Sequence, residues 1–76
     1  MLYNITFKPH KRTSLLVHNI PDCIVEANNK SSAKELGQAI VRDFYFDKYG
    51  YKLETLEYME KQYSYIIEKE AEQNTF

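Results

Sequence analysis

Seventy-six residues at 43% hydrophobic and 28% charged, with a formal net charge of −1, fit one small folded domain spanning 1–76 and no second core. That balance excludes a disordered tail, and no apolar run nears the roughly 20 residues a bilayer crossing needs. One cysteine, Cys23, precludes an internal disulfide, and the first residues carry their positive charge after the apolar part, the reverse of a secretory signal, so a cytoplasmic setting is expected.

Met1 to Lys8 alternates, with Tyr3, Ile5 and Phe7 on one side and Leu2, Asn4, Thr6 and Lys8 on the other. This predicts a half-buried strand that Pro9 ends, since proline cannot donate to a ladder. His10 to Thr13 reads as an exposed basic turn. Ser14 to Ile20, apolar on both faces in its middle, reads as a central strand, and Pro21-Asp22 bends the chain. Cys23 to Ala27 is a third short strand, and Asn28-Asn29-Lys30 turns into a helix. Short connections favour an antiparallel meander.

The clearest element runs from Ser31 to Gly50. Ser32 and Glu35 have capping-box spacing, and Ala33, Leu36, Gly37, Ile40, Val41, Phe44 and Lys48 recur at helical intervals. Gly37, on that stripe, allows close approach to the sheet, and Gly50 suits a left-handed helix end. Beyond it, Leu56, Met59, Tyr63, Ile66 and Ile67 form a helical series, so residues 53–72 read as a second helix. The alternative is a strand or hairpin that places Tyr63, Tyr65 and Ile67 on one face. Gln73 to Phe76 reads as a frayed tail. The predicted fold class is α+β: a three-stranded antiparallel meander packed by a capped helix, then a C-terminal helix.

Ile20-Pro21-Asp22, Cys23-Ile24-Val25, the polar turn Asn28-Asn29-Lys30 and the helix start Ser31-Ser32-Ala33-Lys34-Glu35-Leu36 together carry a resemblance. Over residues 3–45 the chain resembles the HicB antitoxin family, whose N-terminal domain is a three-stranded meander followed by a helix. Two departures stand out. The family's turn glycines are absent, with Asp22 and Asn28-Asn29 in their neighbourhood, and the residues after Gly50 are too few for the C-terminal DNA-binding domain many members carry. The resemblance implies a protein that masks a small basic RNA-cleaving toxin.

Candidate chemistry is sparse. His10, His18 and Cys23 lack the paired spacing a zinc site needs, so no metal is expected. His18 reads as a partly buried strand residue bonded to backbone, and Cys23 as a small buried hydrophobe. A Cys–His nucleophile would need an orienting group and an oxyanion site, and no residue pattern marks either. Asp43 with Asp47, and Glu68 with Glu72, are carboxylate pairs four apart, but they have charged neighbours and read as solvated faces. No phosphate loop, CxxC or GxSxG occurs, so neither cofactor nor catalytic residue is expected. Lys8, His10, Lys11 and Arg12 cluster at one turn, yet a pI near 6.1 disfavours direct nucleic-acid binding.

Charge is divided along the chain. Residues 1–42 hold six Lys and Arg against three Asp and Glu, and residues 43–76 hold four against eight. Six of the seven tyrosines lie in that acidic half. Tyrosine buries large area and keeps a polar handle, which suits interfaces. The partner-binding candidates are therefore Tyr58, Tyr63 and Tyr65, with Asp47, Glu57 and Glu60 as steering charges. The expected function is a non-enzymatic inhibitor that binds a protein: a HicB-like antitoxin, or alternatively a phage or mobile-element protein that blocks a host nucleic-acid-processing or defence complex as a partial DNA-charge mimic. Asn, Lys, Ile, Tyr and Phe make up 30 of the 76 residues, as AT-rich bacterial or phage coding gives. So small a core leads us to expect a homodimer or a bound partner, and no membrane association.

Overall fold

The computed structural model describes residues 1–10 and 17–70. In chain order it contains β1 (Leu2–Pro9), β2 (Cys23–Glu26), α1 (Lys30–Tyr49), α2 (Leu53–Glu60) and β3 (Tyr63–Lys69). The sheet order is β2-β1-β3, and β1 is antiparallel to both neighbours. Strands β2 and β3 are thus parallel to each other, with two helices in the connection and β1 inserted between them, a split β-α-β arrangement.

The α+β class and the three-stranded antiparallel sheet match the sequence reading, but the meander does not. The third strand comes from the far end of the chain, and Val17–Ile20, the described part of the predicted Ser14–Ile20 strand, is not a strand. Residues 14–16 lie outside the described residues, as do most of the predicted basic turn and the tail. The reason lies in the backbone of His18. Its N–H donates to the Tyr45 hydroxyl (2.9 Å) and its carbonyl accepts from the Tyr63 hydroxyl, so side chains occupy the groups a ladder would use. The apolar content of this segment serves the core directly, with Ile20 buried in it.

Alternation on β1 is as the sequence predicts: Tyr3, Ile5 and Phe7 are buried against the helices. Pro9 is the last residue of the strand, so it ends β1 from within it. It lies opposite Tyr63. Odd-numbered residues of β1 turn their amides toward the β2 side, and β2 reaches only as far as Ile5, so the missing N–H at residue 9 has no acceptor to lose.

Helix α1 begins earlier than the Ser32 cap predicts. Asn29, in extended backbone, is the N-cap, and its side-chain oxygen accepts from the Ser32 amide at 2.8 Å. Gly50 ends the helix at φ 63°, as expected. The buried stripe is Ala33, Gly37, Val41 and Tyr45, a strict four-residue repeat. It is rotated from the predicted one, leaving Leu36 and Lys48 exposed and making Tyr45 the largest fully buried side chain. A Cβ at Gly37 would stand 3.2 Å from Tyr65 Cδ2 and 3.3 Å from Ile5 Cδ1, so the glycine sets the distance between helix and sheet.

The second helix is correct for its first half only. Leu56 and Met59 pack into the core from α2, which stops at Glu60. Tyr63, Tyr65 and Ile67 then share the inner face of β3, the alternative the sequence left open. Two β-branched residues and two tyrosines suit a strand, and β1 would otherwise have a bare edge. Local helix propensity loses to that pairing.

Candidate functional site

A cleft of about 620 Å³ opens where α1, the α2–β3 turn and β3 converge. Helix α1 contributes Lys34 and Gln38, which share a face four residues apart. From α2 and its C-cap come Glu57, Glu60 and Lys61, and from β3 come Tyr63, Ser64 and Tyr65. The structure thus unites four of the six sequence candidates. Tyr58, 60% exposed on α2, and Asp47, exposed on α1, do not line the cleft.

The four have different standing. Glu57 is exposed. Glu60 is half-buried and accepts from the Arg42 guanidinium at 2.9 Å, tying α1 to α2. That hydrogen bond raises the Arg42 pKa, and the charges of Glu60, Asp43 and Glu57 raise it further, so these carboxylates surround one cation. Tyr65 is half-buried. Its hydroxyl donates to the Glu60 carbonyl at 2.7 Å, and its ring meets the Phe7 ring edge-on at 5.8 Å. Tyr63 is only 3% exposed, which makes it a core residue that merely shows an edge to the cleft. Burial pushes the Tyr63 and Tyr65 phenols well above the usual range, reinforced by the Tyr45 hydrogen bond at Tyr63 and by Glu60 at Tyr65. Both are neutral hydrogen-bonding groups at any physiological pH.

Tyr63 completes a closed circuit. Its hydroxyl hydrogen goes to the His18 carbonyl, so the Tyr45 hydroxyl must donate across the 2.6 Å contact to Tyr63. The Tyr45 oxygen in turn accepts from the His18 amide. Each hydroxyl donates once and accepts once, and each bond polarises the next. Around this circuit the rings stack: Tyr45 lies 8° from the plane of Tyr51, Tyr49 lies 5.2 Å from Tyr51, and the His18 ring lies 5.6 Å from Tyr49.

His18 is therefore an exposed loop residue, not the partly buried strand histidine predicted. Its Nε2 meets the Tyr49 hydroxyl at 2.6 Å. Cys23 is half-buried against the core, and burial together with the neighbouring Asp22 charge raises its thiol pKa, the opposite of an activated nucleophile. Among the described residues no three His, Cys, Asp or Glu side chains are grouped to hold a metal ion. Among the described residues no helix is long and apolar enough to cross a membrane.

Lys34, Gln38, Lys61 and Ser64 were not singled out from the sequence. The first two were visible only as a helix face beside Gly37. Lys61 and Ser64 needed the helix-to-strand switch at residues 61–62, which spacing alone does not reveal. The fold and cleft define a small α+β domain with a polar, tyrosine-edged groove. No protein-family model, curated protein or solved structure matches the chain.

Proposed function

We propose that this protein is a non-enzymatic inhibitor that binds a basic protein, in the manner of a HicB-like antitoxin masking a small RNA-cleaving toxin. The observation that carries the reading is the outer face of α2. Glu54, Glu57 and Tyr58 are all exposed there, while Leu56 and Met59 anchor the same helix in the core. A rigid helix that displays acids around an exposed aromatic ring is suited to engaging a cationic surface, with charge for steering and the ring as an anchor. The adjoining cleft carries Lys34 and Lys61 against Glu57 and Glu60, so it is balanced in charge and supplies hydrogen bonding and shape.

A second reading keeps the same face and changes the target to a host nucleic-acid-processing complex. It is favoured by the exposed Asp43 and Asp47, which extend negative charge along α1 at one-turn spacing. Capture of partners from host cells by the tagged full chain, followed by mass spectrometry, separates the two. A small basic protein recovered in stoichiometric amount supports the antitoxin reading, and subunits of a larger nucleic-acid machine support the second. Recovery of no protein, together with turnover of RNA by the purified chain, contradicts both.

A further inference from the structure

β3 is an edge strand, and its pairing with β1 fixes which of its backbone groups are already used. The His10 amide donates to the Gln62 carbonyl and the Glu70 amide to the Leu2 carbonyl. Even-numbered residues of β3 therefore exchange hydrogen bonds with β1. By alternation the amides and carbonyls of Tyr63, Tyr65, Ile67 and Lys69 point away from β1, and among the described residues no strand pairs with them. Proline and a bulge, two of the usual guards of an open edge, are absent from β3, and its charged residues, Glu68 and Lys69, sit at the C-terminal end of the strand. The opposite edge, β2, is only four residues long.

We propose that β3 pairs antiparallel with β3 of a second copy, about a two-fold axis at Ile66, which joins two sheets into one. Three features fit a second copy in this register. Tyr63–Lys69 is centred on Ile66, so this register pairs the whole strand with itself, and moving the axis shortens the ladder. Ile66, 42% exposed on the face of the sheet opposite the helices, then lies against its own equivalent. Charges also fit: Glu68 falls opposite Ser64, not opposite another acid. Lys69 of the second copy falls opposite the uncharged Tyr63 on the helix side of the sheet, so no like charges face each other along the ladder. The outer face of α2 stays open, so this pairing is independent of the binding function.

Sedimentation of the purified full chain tests it. The wild type should be a dimer. Ile66→Lys and Ile66→Glu should each be folded monomers, because each places like charges face to face, and an equimolar mixture should return to a dimer. A monomeric wild type, or variants that dimerise as well as the wild type, would overturn the proposal. A second measurement covers failure of those variants to fold. In a Cys23→Ser background, Ile66→Cys should form an intermolecular disulfide, since facing residues at a non-hydrogen-bonded pair have Cα atoms about 4.5 Å apart, within disulfide reach. Ile67→Cys, on the other face, should not. Failure of Ile66→Cys to cross-link counts against the register. Exchange protection of the Tyr65 and Ile67 amides that arises only when a different protein is added would assign the edge to that protein and overturn pairing between copies.

Discussion

Two tyrosine hydroxyls and the backbone of one loop residue form a closed set of hydrogen bonds across the core. Tyr45 and Tyr63 together satisfy both backbone groups of His18, and all their own bonding capacity is committed in return. Tyr45→Phe orphans the His18 amide and removes the donor to Tyr63, so it should destabilise by about 1–3 kcal/mol. Tyr63→Phe should cost a similar amount. Because the circuit is closed, each single change breaks more than its own bond, and the double variant should lose clearly less than the sum of the two. Urea titration of the four proteins checks this, and strictly additive losses would show that the bonds act separately.

At the scale of elements, the decisive contact is the approach of α1 to the sheet at Gly37. Alanine there would gain about 1 kcal/mol of helix propensity. Its methyl, however, would press on Ile5, which is fully buried, and on Tyr65, whose hydroxyl is tied to the Glu60 carbonyl. Neither neighbour can retreat freely, so crowding of about 1–3 kcal/mol should win and Gly37→Ala should lower the melting temperature. The same elements show what was legible in the sequence. Alternation in β1, the length of α1, Gly37 on the packing stripe and Gly50 as its stop could all be read, because each is decided within a few residues. Two features could not. Val17–Ile20 has a strand's composition, but its backbone is taken by tyrosines 27 and 45 residues away. Tyr63–Lys69 has a mixed pattern, and only the bare edge of β1 decides for strand. Of the cleft lining, Glu57, Glu60 and Tyr65 stand out in the sequence by charge and aromatic content, while Lys34, Gln38, Lys61 and Ser64 do not. Tyr63 is buried where the sequence suggests an exposed interface tyrosine, since burial on an inner sheet face depends on a long-range pairing.

Over the whole molecule, a small core that leans on buried phenols has a pH signature. Below pH about 10 the phenols are neutral in both the folded and unfolded chain. Above it the unfolded chain ionises, while Tyr63 and Tyr65, whose pKa values are raised by burial, resist, so protons are bound more tightly in the folded state and stability falls as pH rises. Unfolding free energy should be flat through neutrality in this respect and drop above pH 10. Tyrosinate absorbance should show these two phenols ionising only as the chain unfolds. The proposed binding role rests on the acidic, tyrosine-bearing face of α2 meeting a basic protein. The most direct measurement compares the amount of basic protein captured by the wild type and by Glu54→Lys/Glu57→Lys, side by side at low and high salt. At low salt the charge-reversed chain should capture at least roughly tenfold less, and the wild-type yield should fall as salt rises. Equal capture by the two chains, insensitive to salt, would contradict that role.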